Sequence, residues 1–481
     1  MTESDSPRSI WESTGLALAI LIACGVMYLL VARLALHAFP FSGDEYSLTL
    51  QAELFARGIL KAPAPEHADW LRVDHVVIDR WVRSKYPPGA PALLALGARA
   101  GVAWIVTPIE GVVALLVTWL STRRLLGPRE ALIALVTLGL APLFAFQAAS
   151  FYTQTATTMF LAGGFAGIGA WCRTHRSAWM VLVGAAIGCT FLVRPIDALL
   201  FGAAMLSLRS ARAIVIAALS AIPFVVVSCL YQNAQFGSPF LDGYHVYQPT
   251  FAALYGATAA ANPILLSYLW NPVQLWNHID VFRAFVVDWT VPGTALVALM
   301  GAFAIGREHP ARSMRTFSVA LVATYLGALL LTIADVDDGA RSRYLSSALI
   351  PVAFLSAAGF APACAALASR FGPRVRTTLV VMALVFAPAQ LAAFLVARVP
   401  QVWKREGLYR AVEGAAVHDA IVVVRAAHPS RYARNGGLFD RPVLYLSAPA
   451  TTSAETIAAA FPDRAIWEAN EGDPWTLRRT R

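Results

Sequence analysis

Apolar runs of about 20 residues recur along most of this chain, and no other feature narrows its possible folds so far. A helix needs roughly 20 such residues to cross a bilayer core, where backbone groups find no water. Of the 481 residues, 58% are hydrophobic and 14% charged, against about 25% charged in ordinary soluble domains. The expected fold class is an all-α polytopic membrane protein with about 11 crossings.

Charge placement sets the expected register. The formal net charge of +9 falls mostly in short loops between apolar segments, as membrane topology requires, so nucleic acid is not an expected partner. The first segment, about Gly15 to Phe39, runs outward from a cytoplasmic N-terminus. Ala90 to Val106 is interrupted by Pro91 and Arg99 and reads as interfacial or re-entrant. Gly111 to Leu126 then returns inward, which keeps Arg123, Arg124 and Arg129 cytoplasmic. Further crossings are expected at 131–148, 154–172, 177–193, 195–209, 213–230, 285–306, 316–334, 343–361 and 378–398. The pair 177–193 and 195–209 is short for two full spans. The polar start and the long first apolar run argue against a cleavable signal peptide. Cys24, Cys172, Cys189, Cys229 and Cys364 fall in apolar segments or at cytoplasmic ends, which predicts neither disulfides nor a zinc site.

This register leaves residues 1–400 as the membrane domain, with a first outer loop at about 39–106 and a long one at about 231–284. The first loop carries an amphipathic run, with Leu48, Leu50, Leu54 and Phe55 on one side and Gln51, Glu53 and Arg57 on the other. The long loop clusters Tyr244, His245, Tyr247, Trp270, Trp276 and His278, residues suited to an interface. After Pro400 the character changes. Residues 419–425, 442–447 and 465–469 read as short strands and 452–461 as a helix, so 401–481 should form a small extracytoplasmic α/β domain.

Asp44 and Glu45 stand just beyond the first crossing. Alone they read as loop charges or a helix cap. The same outer face also receives Lys85, Tyr86, Arg194, Asp197, Arg341 and Arg343. A carboxylate beside cations near lipid headgroups suits chemistry on a phosphate-linked substrate: one accepts a proton, the others offset phosphate charge. Arg341 and Arg343 also read as headgroup anchors, and Arg194-Pro195 as a helix break with a snorkelling side chain. Asp335, Asp337 and Asp338 have no recognised metal spacing, and no zinc, Walker or dinucleotide motif occurs.

Several short motifs occur in order. They are Gly43-Asp44-Glu45, Lys85-Tyr86-Pro87-Pro88-Gly89 and Leu125-Leu126-Gly127, then Phe191 to Pro195, Phe236 to Phe240, and Ser342-Arg343-Tyr344-Leu345 with Pro351. In this the chain resembles the GT-C membrane glycosyltransferases. It is most similar to the family of protein O-mannosyltransferases and the lipid A aminoarabinose transferase (glycosyltransferase family 39-like). The resemblance implies inverting sugar transfer from a polyprenyl-phosphate donor to a glycan, lipid or protein acceptor. The expected setting is the non-cytoplasmic face of a bacterial inner membrane. It implies Asp44 as catalytic carboxylate, with Glu45 beside it, and Lys85, Tyr86, Arg194, Arg341 and Arg343 around the donor phosphate. Tyr152, Gln154, Tyr244 and His245 are the candidates for sugar and acceptor. Gln154 stands where family members often carry an acid, which weakens any inference of a divalent metal, and no other cofactor is expected. The rival readings are a lipid-linked sugar transporter or flippase, against which most spans lack central charges, and a non-catalytic sugar-lipid binding protein.

Overall fold

The computed structural model describes residues 14–255, 272–287, 290–291, 293–306, 309, 311–330, 341–449 and 451–481. Helix α1 (Thr14–Leu30) runs into a π turn over Val31–Ala35. The first outer segment then folds as α2 (Gly43–Ala56), a three-stranded antiparallel sheet, and α3 (Gly89–Ala98). In that sheet β3 (Trp81–Ser84) lies between β1 (Ala62–Pro63) and β2 (Val76–Ile78). The membrane region continues with α4 (Val106–Leu125), α5 (Pro128–Gly139), α6 (Pro142–Ala148), α7 (Gln154–Thr174), α8 (Ser177–Val193), α9 (Pro195–Ala204) and α10 (Ala211–Phe236). After α11 (Gly243–Tyr255) come α12 (Pro272–Val287), α13 (Thr294–Ala304), α14 (Arg312–Leu330), α15 (Leu349–Phe371) and α16 (Val375–Gly414). A 3-10 segment, Arg341–Ala348, leads into α15.

Prolines punctuate these helices where their missing N–H does no harm. Pro128, Pro142 and Pro195 each open a helix at its first turn. Close backbone approach is carried by glycine: a Cβ on Gly301 would strike the Leu355 carbonyl, and one on Gly359 the Val297 carbonyl, so α13 and α15 pack almost backbone to backbone. Tyr28, Phe165, Phe317 and Phe354 belong to one continuous core, with Phe165 and Phe354 ring centroids 5.5 Å apart.

Six helical stretches among the described residues are long and apolar enough to cross a membrane, namely Thr14–Ala35, Ala103–Leu125, Ala211–Phe236, Arg312–Leu330, Arg343–Phe371 and Val385–Gly414. The pair α5 and α6 forms a seventh if taken as one span, bent by 68°. Two expected crossings are interrupted. Residues 131–148 are two helices, broken where Pro142 cannot donate to the preceding turn. Residues 285–306 hold the end of α12 and all of α13, not one helix, with Gly293 in the left-handed region between them. Stretches 177–193 and 195–208 are distinct short helices parted at Arg194.

The outer loop expected at 231–284 is largely helical among its described residues. It contains the end of α10, capped by left-handed Gly237, then α11 and much of α12. His278 is buried inside α12 and meets the Leu329 carbonyl at 3.1 Å, so it does not face an outer interface. Trp270, Asp335, Asp337 and Asp338 lie outside the described residues. The amphipathic reading of α2 also fails at Gln51, which is fully buried. Its amide is satisfied there, donating to the Leu60 carbonyl at 2.8 Å and accepting from Ser84 N at 2.9 Å.

The chain crosses Pro400 without a break, because α16 runs on to Gly414. Leu408 and Val412 of that helix pack on a four-stranded sheet ordered β5-β4-β6-β7. Strands β4 (Ala420–Arg425), β5 (Val443–Leu446) and β6 (Ala465–Asn470) are parallel, and β7 (Thr476–Arg479) adds an antiparallel edge. Helix α17 (Ala454–Ala460) covers one face. The sheet is fastened to the first outer segment. Arg434 donates to the Pro40 and Phe41 carbonyls, Gly436 N to Tyr46 Oη at 3.0 Å, and Ser447 N to the Trp70 carbonyl at 2.7 Å.

Candidate active site

The site is built on the first turn of α2. Ser42 caps the helix: its Oγ accepts from Glu45 N at 3.1 Å, and Glu45 Oε2 accepts from Ser42 N at 3.0 Å. The other Glu45 oxygen accepts from Phe151 N at 2.9 Å. Both oxygens of Glu45 are thus engaged in fixing the loop, and the residue is fully buried. Burial pushes its pKa up to about 7, against the opposing pull of the Ser42 and Phe151 donors. The structure thus gives Glu45, expected beside Asp44 as a catalytic residue, a capping role, and adjacent residues on a helix leave it in different directions.

Asp44 faces the other way, into a ring of donors and cations. Its Oδ2 accepts from Arg343 Nη2 at 3.1 Å, its Oδ1 from the Tyr86 hydroxyl, and His75 Nε2 lies 3.6 Å from Oδ1. Burial alone would raise the Asp44 pKa, but His75, Arg343, Lys85 and the Tyr86 hydroxyl overturn this and hold it well below the ordinary carboxylate range. Burial, reinforced by Lys85, takes His75 down to about 4, so the imidazole is neutral above that pH and Arg343 and Lys85 carry the load. The first turn of α2 adds its unpaired N–H groups to the same electropositive side.

Lys85 is buried in a cage of three tyrosines. Its Nζ lies 5.2 Å from the Tyr86 ring, 4.9 Å from Tyr244 and 5.0 Å from Tyr247. The cage closes because Gly243 lets α11 press on the Lys85 backbone; a Cβ there would collide with the Lys85 carbonyl. Burial lowers the Lys85 pKa, with Asp44 opposing. Rings of this kind stabilise the ammonium by roughly 0.5–2 kcal/mol each without discharging it, which leaves it able to meet an anion.

The remaining candidates divide. The Arg343 guanidinium sits 4.9 Å over Tyr152 and 5.5 Å from Tyr344, and Arg194 approaches Tyr344 from another side at 5.2 Å. Arg194 is already held by Asp197 at 2.6 Å, whose other oxygen accepts from Tyr325 at 2.8 Å and Ser347 at 3.1 Å. Gln154 is buried at the start of α7 with Oε1 unpartnered. His245 is turned out to solvent and bonded to Asp242 at 2.8 Å, away from the tyrosine cage. The side chain of Arg341 lies outside the described residues. His75 is a site residue that sequence reasoning missed, and only its left-handed backbone, φ +64°, marks it as special.

Among the described residues no cluster of three His, Cys, Asp or Glu could hold a metal ion, and Arg343 and Lys85 supply positive charge to the Asp44 carboxylate.

No protein-family model matches the sequence, and no curated protein does. Solved structures do. ArnT from Cupriavidus metallidurans, bound to undecaprenyl phosphate, is similar at 14% identity and a TM-score of 0.57, over 96% of this chain and 94% of that one. The oligosaccharyltransferase of Archaeoglobus fulgidus, in complex with Zn and sulfate, matches at 10% identity and 0.53, over 94% of this chain and 67% of that one. The chain therefore has the GT-C fold that the motif order implied.

Proposed function

We propose that this protein is a membrane glycosyltransferase that moves a sugar from a polyprenyl-phosphate donor to an acceptor, with inversion at the anomeric carbon. The observation that carries the reading is the convergence on one buried point of Asp44, Arg343 and the tyrosine-caged Lys85, within a GT-C fold. A lipid-linked donor is already activated, which accords with a chain that carries no nucleotide motif. The undecaprenyl phosphate bound by ArnT is of the class that the proposed donor would release on transfer.

Without substrate, Asp44 is a weak base, because Arg343 and Lys85 stabilise its charge. A donor phosphate entering beside them draws both cations toward itself and adds negative charge nearby. Each change raises the basicity of Asp44, so the carboxylate becomes a competent proton acceptor only once the donor is bound. The acceptor hydroxyl then loses its proton to Asp44 as it attacks the anomeric carbon. The bond from that carbon to the phosphate oxygen breaks, and Arg343 and Lys85 hold the departing polyprenyl phosphate. In the cell the N-terminus is cytoplasmic and the site opens on the outer face of a bacterial inner membrane.

The test is transfer by the purified full chain, in nanodiscs, from a panel of polyprenyl-phosphate sugars to glycan, lipid and peptide acceptors. Expected is release of polyprenyl phosphate with one donor, and a product of inverted configuration. Failure of every donor either to react or to bind would overturn the reading.

A further inference from the structure

Beside Arg343, and lined by none of the Lys85 cage residues, lies a cavity of about 60 Å³. Arg343, Arg398 and Arg405 line it, together with Gln147 and the rings of Phe146 and Phe394. Two observations mark it as built for an anion. Gln147 is 2% exposed, and neither its amide nitrogen nor its amide oxygen has a partner. Leaving such a group unsatisfied costs about 1–3 kcal/mol, so in native proteins it normally meets a ligand or water. The charges, moreover, are unbalanced. Arg405 gives one hydrogen bond, to the Phe41 carbonyl at 2.8 Å, and Arg398 packs 5.7 Å from the Phe394 ring. Neither has a carboxylate within ion-pair distance among the described residues, and Arg343 keeps its Nε unpartnered while Nη2 serves Asp44. Water would satisfy the amide but would leave the guanidinium charges repelling one another through a partly dry wall.

We propose that this cavity is a second oxyanion subsite, which holds a phosphate or carboxylate group of the acceptor. The inference rests on the glycosyltransferase reading and deepens it, by naming the acceptor's chemical class. Arg343 lines the cavity and also donates to Asp44 at 3.1 Å, so an acceptor anchored here presents its nearby hydroxyl to the carboxylate. Arg343 stands between the two anions. It holds Asp44 through Nη2 while its side chain lines the cavity, which places both substrates against one rigid group.

The experiment fills the donor site first. Full-length protein in neutral-lipid nanodiscs is saturated with undecaprenyl phosphate, then titrated with inorganic phosphate, with acetate, and with chloride at matched ionic strength. Phosphate or acetate should bind where chloride does not, and whichever binds tighter identifies the group the acceptor carries. Arg398→Gln and Gln147→Leu should each weaken that binding at least about tenfold, leaving undecaprenyl phosphate affinity within about twofold. Gln147→Glu should abolish it while raising Tm, because it supplies the missing negative charge from within. No anion binding once undecaprenyl phosphate is present would overturn the subsite. So would an equal loss of undecaprenyl phosphate affinity in Arg398→Gln, which would make the cavity part of the donor site. Lys85→Gln reports separately on the donor assignment: undecaprenyl phosphate binding unchanged in that variant would sink the donor reading and leave the anion result standing.

Discussion

Arg343 donates from Nη2 to Asp44 Oδ2 at 3.1 Å across 299 residues of sequence. The pair joins the first turn of α2 to the 3-10 segment before α15, and both side chains are about four-fifths buried. Removing one partner from such a pair leaves an uncompensated charge, at roughly 3–5 kcal/mol. Stability and chemistry therefore meet at Asp44 and have to be measured separately.

Asp44→Asn should lose at least about a hundredfold in turnover, since the amide cannot accept the acceptor's proton. It should also lower Tm, because the buried guanidinium loses its counter-charge. The double variant Asp44→Asn/Arg343→Gln should regain much of the Tm and none of the turnover. Recovery of turnover in the double variant would show that Asp44 is needed only as a counter-ion.

Lys85→Gln should weaken donor binding by at least about tenfold with a smaller change in kcat. Tyr244→Ala, which removes one wall of the cage, should show a milder loss of the same kind. Isothermal titration with undecaprenyl phosphate distinguishes the two. A Tyr244 variant more impaired than the Lys85 variant would mean that the ring, not the ammonium, makes the contact.

Glu45 and His75 should oppose each other in the pH dependence of stability. Burial raises Glu45 from 4.5 to about 7, so the fold favours its protonated form and that contribution is lost as pH rises through 7. Burial lowers His75 from 6.5 to about 4, so the fold favours its neutral form and that contribution is lost as pH falls toward 4. Each is worth roughly 3 kcal/mol when fully developed, with opposite slopes between pH 4.5 and 6.5. Glu45→Gln should therefore leave a Tm that climbs from pH 4 to 6.5, and His75→Phe one that declines from pH 4.5 to 7. Parallel profiles in the two variants would refute the assignment.

Arg434→Met should impair turnover although Arg434 touches no group in the Asp44 ring. Met is apolar and unbranched, but it lacks the guanidinium that lies 4.6 Å from the Phe39 ring centroid and the donors that hold the Pro40 and Phe41 carbonyls. Truncation before β4 should be worse, since Leu71 of the first segment packs in the same core as Ile421 and Leu444. The tail is thus expected to support the first outer segment as well as any acceptor. Normal turnover in a folded truncation would contradict this.

Reporter fusions after Arg124, Arg212 and Arg374 should lie in the cytoplasm, and those after Tyr247 and at the C-terminus outside. The expectation rests on where the arginines cluster. An external Arg124 would break this register and make Ala90 to Val106 a full crossing.

What the sequence determined by itself is what local rules carry. Apolar length decides that helices cross a bilayer, because each span satisfies its own backbone. Short apolar runs of β-branched and aromatic residues predict β4, β5 and β6 for the same kind of reason. The motif order pointed to Asp44 and Lys85, and both lie at the candidate site. Tertiary structure decided everything that depends on which side chain meets which. It turned Glu45 into a cap, buried Gln51 in a polar network, and turned His245 away to Asp242. It brought in His75, which no motif marks, and aligned Gln147 with three arginines drawn from two distant segments. A residue's identity fixes what charge and hydrogen bonds it offers. Only packing fixes the partners, and in a buried site the partners set the pKa, the cost of an unpaired group and so the chemistry.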